Sequence, residues 1–238
     1  MEKQIKVIVW GYSGHMGGIV SSLVKQNHNF EYLGGVDKDD YNYSYTDVDV
    51  IIDFSSPEGT MKMLDFAVKG KIPAVIATTG LSSEQEKKVA DASKVIPIFK
   101  SANMSFEVAL VKNLLKDLAS KIEDSDIEIL ETHHNRKSDA PSGTAKLFAE
   151  AINSGLDEPR NIVYGREGKR EKNEIGIASL RGANIVGEHS VKFFSDFETL
   201  EITHTAHSRE LFASGALKAA SFIVNQKPGL YNMDDLFA

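Results

Sequence analysis

A short stretch near the middle of the chain concentrates side chains that can transfer protons. It holds His133, His134 and Lys137 within five residues. Histidine exchanges protons near neutral pH, whereas a lysine can donate a proton or hold a carboxylate. At the end of an extended strand, the two histidines would point to opposite faces and have different roles. These residue types therefore favour acid–base catalysis on an anionic substrate.

Directly after these residues, the sequence predicts the start of a helix near Pro141. The order Asp139-Ala-Pro-Ser-Gly143-Thr144 precedes a run rich in helix-forming residues. The unpaired backbone N–H groups at a helix start, a glycine that permits close approach and a threonine hydroxyl together form a site for an anion. A substrate with two carboxylates fits this arrangement.

Two other interpretations compete with catalysis. A single His or Lys is more often a surface or hydrogen-bonded structural residue, so only the grouping of several such features favours a catalytic site. The second alternative is a metal site formed by His133, His134, His204 and His207. However, His204 and His207 would lie on opposite faces of a strand, and the chain has no His-Glu-x-x-His helix. We therefore predict no metal site.

The first residues of the chain have the pattern of a nucleotide-binding fold. A buried strand is predicted at Ile5–Trp10, and Gly11-x-x-Gly14-x-x-Gly17 leads from it into a predicted helix. Such a turn lets a pyrophosphate approach the amino end of the helix.

A second predicted strand, 32–36, ends at Asp37, where an acidic residue can bind a ribose hydroxyl. The alternative is an ordinary polar turn over residues 37–40. Lys38 could pair with a 2′-phosphate, so the choice between NADH and NADPH stays open at this point.

The alternation of strands and helices continues to about residue 99. Further strands are predicted at 48–54, 72–77 and 95–99, with helices starting at Pro57 and Ser82. Five strands alternating with helices predict an α/β, Rossmann-type doubly wound parallel sheet, in which ligands bind at the carboxyl ends of strands. Taken singly, Thr78, Thr79 and Ser101 are more simply explained as helix caps. As a set at one sheet edge they indicate a cofactor site.

Beyond Phe106 the pattern changes to a second α+β domain with a mixed, largely open-faced sheet. An amphipathic helix at 108–118 precedes strands predicted at 127–133, 174–180, 189–194 and 199–206. Residues 153–173 are the most loop-like part of the chain, and a closing helix follows Ser208. We expect a boundary between residues 105 and 106 and another between 207 and 208.

The composition limits the classes of protein that fit. With 238 residues, 42% of them hydrophobic, the chain can bury a sizeable core. A net charge of −7 disfavours nucleic acid and anionic membranes as partners. The lack of cysteine excludes disulfides, thiolate metal sites and cysteine nucleophiles. Because we find no signal-peptide core and no apolar run of about 20 residues, we expect a cytoplasmic protein.

These motifs resemble one family over nearly the whole chain: the dihydrodipicolinate reductases, or 4-hydroxy-tetrahydrodipicolinate reductases, of the bacterial diaminopimelate–lysine pathway. The block from Glu131 to Ala145 is the most specific part. The matching motifs are Gly11-x-x-Gly14-x-Met16-Gly17, Asp53-Phe54-Ser-x-Pro57-Glu58-Gly59, Thr78-Thr79-Gly80, Ala102-Asn103, Glu131-x-His133-His134-x-x-Lys137-x-Asp139-Ala-Pro-Ser-Gly-Thr-Ala145, Arg181-Gly182, Gly187-Glu188-His189 and Ser208-Arg209-x-x-Phe212-Ala-x-Gly215-Ala216.

The resemblance implies hydride transfer from NADH or NADPH to a cyclic unsaturated imine dicarboxylate, with loss of water from the hydroxylated substrate. It implies that residues 1–105 and 208–238 form the dinucleotide-binding domain and that 106–207 bind substrate and assemble a homotetramer. His133 and Lys137 would be the proton donors, while His134, Gly143 and Thr144 would bind substrate carboxylates. The cofactor-binding residues would be Gly11, Tyr12, Ser13, Gly14, His15, Met16, Asp37, Lys38, Ala77, Thr78, Thr79, Ser101, Ala102, Asn103 and Met104.

Two departures from the family pattern bear on cofactor choice. His15 and Ser56 stand where many members have arginine. Because arginine pairs with phosphate bidentately, their absence predicts that NADH is used at least as well as NADPH. Two alternatives remain at this stage: another two-domain oxidoreductase acting on a semialdehyde or a 2-oxo acid, and a non-catalytic dinucleotide sensor.

Overall fold

The chain consists of two compact units in the computed structural model, which describes residues 3–38 and 46–237. One unit consists of the described residues of Met1–Phe106 and Glu210–Ala238, and the other is Glu107–Arg209. The polar turn considered at 37–40 lies partly outside the described residues. Within the described ranges, no helix combines the length and apolar character needed to cross a bilayer.

The first unit is a parallel six-stranded sheet with helices between its strands, which confirms the predicted Rossmann-type class. Its sheet has the strand order β11-β5-β4-β3-β1-β2. The strands are β1 (Ile5–Trp10), β2 (Phe30–Val36), β3 (Val50–Asp53), β4 (Ala74–Ile76), β5 (Pro97–Lys100) and β11 (Gly229–Tyr231). The helices are α1 (His15–Gln26), α2 (Pro57–Gly70), α3 (Ser83–Ala92) and α6 (Glu210–Ile223), followed by a 3₁₀ helix at Met233–Phe237.

The prediction of five strands was wrong by one. The sixth, β11, pairs in parallel with β5 through Leu230 and Ile98. It is only three residues long and contains a glycine, so its sequence has too little apolar alternation to be recognised. Strands β3 and β4 are also shorter than the predicted 48–54 and 72–77.

Apolar residues of this sheet and of its helices form the core of the first unit. Ile8, Ile51 and Ile98 are fully buried in the strands, and Met63 and Val89 pack on them from α2 and α3. This burial on both faces explains why the strands are continuous apolar runs rather than alternating ones.

The second unit has a five-stranded mixed sheet, as predicted, with the order β10-β9-β6-β8-β7. Strand β6 pairs in parallel with β8 and antiparallel with β9. The elements of this part are α4 (Phe106–Ala119), β6 (Asp126–His133), α5 (Gly143–Gly155), β7 (Asn161–Tyr164), β8 (Glu174–Arg181), β9 (Gly187–Phe194) and β10 (Thr199–Ala206).

The interpretation of residues 153–173 as a loop was wrong in part. Helix α5 extends to Gly155, and Asn161–Tyr164 forms the edge strand β7 beside β8. The strand is only four residues long, none of them is fully buried, and it lies between polar, turn-rich residues, so its short Ile162-Val163-Tyr164 run did not stand out in the sequence.

Candidate active site

One face of the second sheet changes from apolar to polar along its strands. Ile127 and Ile129 of β6 are buried against α4 and α5, and the same face continues at Glu131 and His133. The neighbouring strands change at the same level, because Glu131 is opposite His189 of β9 and Ser179 of β8. The polar end of this face contains a group of contacting residues that we call the Glu131 cluster: Glu131, His133, Ser142, Arg181 and His189.

Glu131 is the centre of this cluster and is fully buried. Its carboxylate accepts two hydrogen bonds from the guanidinium of Arg181, at 2.8 and 2.9 Å, and one from the backbone N–H of Ser142 at 3.2 Å. Burial acts to raise the pKa of Glu131, but hydrogen bonds from Arg181, Ser179 and His133 outweigh it and lower the pKa to about 2. Glu131 is therefore ionised at neutral pH.

His133 is held by this carboxylate. Its Nδ1 lies 2.5 Å from Oε2 of Glu131, and the residue is 9% exposed. The ring of His189 stands edge-on to it, with ring centroids 5.1 Å apart. Nε2 of His133 lies close to Gly187, where an added Cβ would be only 2.9 Å from that nitrogen. The orientation of the His133 imidazole thus depends on the carboxylate of Glu131, the ring of His189 and the lack of a side chain at Gly187.

His189 contributes no charge to the cluster. Burial, with the nearby His133, lowers its pKa to about 3, so its imidazole is neutral at neutral pH. Its Nε2 is 2.9 Å from Oγ of Ser142, and its buried Nδ1 has no hydrogen-bond partner among the described residues.

His134 and Lys137, which the sequence also predicted to act in catalysis or binding, lie just beyond β6. His134 is half-buried, and burial, with repulsion from Arg136 and Arg209, lowers its pKa. The ammonium of Lys137 is 2.8 Å from Oδ1 of Asp139. Among the described residues, no three or more His, Asp or Glu side chains are arranged to hold a metal ion.

Helix α5 begins beside this cluster, at Gly143. Ser142 caps it by accepting a hydrogen bond from the backbone N–H of Ala145 at 3.2 Å. Apart from its chain neighbours and the backbone of its own helix, nothing described lies within 4 Å of the position that a Cβ of Gly143 would occupy, so the helix start is open. Gly143 and Thr144, two of the predicted carboxylate-binding residues, therefore follow directly on a residue of the Glu131 cluster.

The glycine turn of the first unit has the close contacts that its sequence predicts. Gly11 has φ +79°, and a Cβ at Gly17 would lie 2.0 Å from the carbonyl oxygen of Gly11. Gly14 precedes α1 without a side-chain cap, and the first turn of α1 contains no acidic residue. The amino end of α1 thus keeps its N–H groups and its positive dipole available for a phosphate.

Asp37 lies against this turn. Its carboxylate accepts hydrogen bonds from both the backbone N–H, at 3.1 Å, and the hydroxyl of Ser13. These bonds lower the pKa of Asp37. Tyr12, also in the turn, packs on the backbone of Gly35.

A second buried carboxylate lies beneath the strand ends of this unit. Asp53 accepts hydrogen bonds from the backbone and hydroxyl of Ser55, at 3.0 and 2.5 Å, from Thr60 at 2.6 Å and from Thr78 at 3.0 Å. We call these four residues the Asp53 cluster. All its donors are neutral, and burial raises the pKa of Asp53 despite them. Thr78, predicted to face the cofactor, is thus committed to this cluster through its hydroxyl.

The remaining predicted cofactor residues differ in accessibility. Tyr12, Ser13, Gly14, His15, Lys38, Thr79 and Ala102 are exposed, whereas Met16, Ala77, Ser101 and Asn103 are half-buried. The hydroxyl of Ser101 donates to the carbonyl of Asn103 at 2.7 Å and so shapes its own loop. Met104 is buried, and its carbonyl oxygen lies where a Cβ of Gly215 in α6 would be.

Reasoning from sequence assigned no role to Glu131, Arg181, His189 or Asp53. One signal was available for Glu131: it occupies a buried position in the alternation of β6, where an apolar residue is expected. Arg181 and His189 are brought to it only by the pairing of β6 with β8 and β9, which no local pattern encodes.

Together, the Rossmann-type unit and the mixed-sheet unit with its buried Glu131 cluster fit one class of protein: a two-domain, dinucleotide-dependent oxidoreductase. Comparison with known proteins narrows this class. Residues 5–104 match the N-terminal model of dihydrodipicolinate reductase, and residues 107–237 match the C-terminal model. The chain therefore belongs to the dihydrodipicolinate reductase family, which confirms the resemblance found in its sequence.

Curated relatives match over essentially their full length. A 4-hydroxy-tetrahydrodipicolinate reductase of Caldanaerobacter subterraneus subsp. tengcongensis is 51% identical, covering 98% of both chains. One of Alkaliphilus oremlandii is 46% identical and covers 97% of both. Among solved structures, a dipicolinate-bound dihydrodipicolinate reductase from Paenisporosarcina sp. TG-14 has the same fold, with a TM-score of 0.82, 22% identity and coverage of 98% and 99%.

Proposed function

We propose that this chain reduces 4-hydroxy-tetrahydrodipicolinate to tetrahydrodipicolinate with NADH or NADPH, in the diaminopimelate–lysine pathway, and that His133 and Lys137 supply the protons. The activity follows from family membership, since the chain and its named relatives match over nearly their full lengths. The residue roles rest on the geometry of the second unit.

The observation that carries these roles is the position of His133. Its ring is paired with a buried carboxylate, and the same carboxylate accepts a hydrogen bond from Ser142, the cap of α5. A proton donor is thus built next to a helix start that can bind an anion. A reductase acting on a dicarboxylate needs this combination, because one part of the site holds the substrate while another protonates it.

Lys137 has a different setting, which suggests a second role. Its ammonium is paired with Asp139, whose side chain is 52% exposed. A substrate carboxylate can replace such an exposed partner at little cost, because surface ion pairs contribute only about 0–1 kcal/mol. Lys137 would then bind the substrate and also be able to donate a proton to it. His134, Gly143 and Thr144 would hold the carboxylates.

The first unit suits the cofactor. The uncapped start of α1 and the close contact between Gly11 and Gly17 fit a pyrophosphate, and the ionised Asp37 fits a ribose hydroxyl. When bound, the reduced nicotinamide supplies the hydride. The protein would bind and orient both reactants, exclude water and deliver the proton.

The dicarboxylate is supported by more than the helix start. The structural neighbour from Paenisporosarcina was solved with dipicolinate, a planar pyridine dicarboxylate, bound to it. We extend this to our chain as a proposal, together with the cytoplasmic homotetramer that the family resemblance implies. Light scattering of the purified protein tests the tetramer.

A single assay tests the proposed activity. The protein is incubated with NADH or NADPH and freshly generated 4-hydroxy-tetrahydrodipicolinate, and oxidation of the nicotinamide is followed by absorbance. We expect turnover that dipicolinate inhibits. Turnover with a semialdehyde or a 2-oxo acid instead would indicate another oxidoreductase, and nucleotide binding without any turnover would indicate a sensor.

A further inference from the structure

We propose that Glu131 is a positioning residue for His133. Its carboxylate would fix the imidazole with a proton on Nδ1, leave Nε2 for proton transfer and balance the charge of the imidazolium. This inference rests on the proposed function, because it assigns a task to a residue that touches His133 and not the substrate.

The contacts of Glu131 make it a rigid support. The carboxylate is fully buried, and one guanidinium grips both of its oxygens. Arg181 is in turn fixed by the carbonyl oxygens of Asp139, at 2.7 Å, and Leu180, at 2.6 Å. A carboxylate bonded in this way has a fixed orientation, so it presents Oε2 to Nδ1 of His133 as a fixed hydrogen-bond partner.

The surroundings of Nε2 explain why the orientation matters. The space beside this nitrogen exists because residue 187 is glycine, and the ring of His189 limits the imidazole on another side. Since His189 is neutral and its Nε2 is engaged by Ser142, it neither repels an imidazolium nor competes for the Glu131 carboxylate. The charged groups of the cluster are therefore Glu131 and Arg181, with the ammonium of Lys137 nearby in the chain.

An ordinary structural ion pair between Glu131 and Arg181 would not require a third member. Here Oε2 receives both a guanidinium hydrogen bond and the contact with Nδ1 of His133. A variant that removes the charge of residue 131 but keeps its shape distinguishes a purely structural ion pair from a positioning role. A structural role would affect mainly folding, whereas a positioning role would lower kcat in a folded protein.

The test uses Glu131→Gln, with Glu188→Gln as a matched control. Glu188 lies on the neighbouring strand next to His189, but its carboxylate accepts from Thr205 on the opposite face of the sheet. Because Glu131→Gln leaves the guanidinium of Arg181 without its carboxylate partner, the double variant Glu131→Gln/Arg181→Met is measured as well. It removes both charges together, and circular dichroism with thermal melting verifies its fold.

Four quantities are measured: kcat, KM for the substrate, the dissociation constant of NADH by fluorescence, and the protonation of His133 by ¹⁵N NMR of histidine-labelled protein. We expect kcat to fall about 10- to 100-fold in the single and double variants. Substrate KM and NADH affinity should change by less than about threefold, and His133 should lose its single Nδ1-protonated form. Glu188→Gln should match the wild type.

Two results would overturn the inference. One is a folded Glu131 variant with kcat within about twofold of the wild type and unchanged His133 resonances. The other is an equal loss of kcat and of NADH affinity, which would mean general damage to the fold. Failure of the proposed function is distinguishable from both, since the wild type would then show no turnover or His133→Gln would keep it.

Discussion

Asp53 in the first unit and Glu131 in the second are both buried near the carboxyl end of a strand, but different kinds of hydrogen-bond donor hold them. Asp53 ends β3 and accepts hydrogen bonds from hydroxyls and one backbone N–H, and none of its donors in the described part of the chain is a cation. Glu131, near the end of β6, is gripped by a guanidinium and contacts an imidazole. Burial raises the pKa of Asp53, whereas the donors of Glu131 lower its pKa to about 2.

This difference in hydrogen-bond donors determines what each cluster can do. The neutral donors of Asp53 connect the ends of β3 and β4 with α2, and they do so whether or not the carboxyl is charged. This cluster therefore fixes geometry, here that of loops next to the glycine turn. The Glu131 cluster instead holds an ionised carboxylate, paired with Arg181, beside the imidazole of His133, and this arrangement fits the proton transfer that we propose.

The largest contrast between the two units should appear in kcat. His133→Gln removes the proposed proton donor, so we expect kcat to fall roughly 10²- to 10⁴-fold with little change in NADH binding. Thr78→Val in the Asp53 cluster removes one hydroxyl while keeping a side chain of similar shape. We expect a few-fold higher KM for NADH with kcat nearly unchanged. Steady-state kinetics of both variants checks this, and a His133→Gln enzyme with near-full turnover would remove His133 from catalysis.

The pH dependence of stability should have opposite signs in the two clusters. The pKa of folded Glu131 is lowered from 4.5 to about 2, so its stabilisation is present above pH 4.5 and is lost as the pH falls towards 2. At about 1.4 kcal/mol per pH unit, this amounts to about 3 kcal/mol. For Asp53 the raised pKa means that stability is greatest below its unfolded pKa and is lost as the pH rises through the folded value.

Urea unfolding of Glu131→Gln and Asp53→Asn across this pH range measures both effects. Relative to the wild type, Glu131→Gln should be less stable at neutral pH and lose less stability on acidification. Asp53→Asn should instead lack the decline with rising pH. If the free energy of unfolding of both variants depended on pH in the same way as that of the wild type, the two carboxylates would not differ in their effect on the pH dependence of stability.

The two clusters also show which features of the fold and the site could be predicted from the sequence alone. The glycine turn, the helix start at Ser82 and the start of α5 were predictable because they depend on neighbours within a few residues. Fold class followed from the regular alternation of apolar runs. The family motif singled out His133, but its partners Arg181 and His189 meet it only through strand pairing over about 50 residues of sequence.

The space around His133 offers a smaller test of the same cluster. An added methyl group at Gly187 would lie 2.9 Å from Nε2, so Gly187→Ala should displace the ring and lower kcat about 10-fold or more. Gly182 is the matched control, because no atom lies within 4 Å of its Cβ position. We expect Gly182→Ala to keep kcat within about twofold. Equal effects of both substitutions would show that the imidazole has room to move.

The smallest expected effect concerns cofactor choice in the first unit. Asp37 is bonded by Ser13 and ionised at neutral pH, so it accepts from a ribose hydroxyl but repels a 2′-phosphate. With His15 and Ser56 in place of the family's frequent arginines, few cations offset that repulsion. We therefore expect kcat/KM with NADH to be at least equal to that with NADPH.

The substitution Asp37→Ser should shift the ratio of the two kcat/KM values a few-fold towards NADPH without changing kcat, because it leaves the Glu131 cluster intact. A wild-type preference for NADPH of about tenfold or more would contradict the expected use of NADH and would indicate that Lys38, next to Asp37, binds the 2′-phosphate.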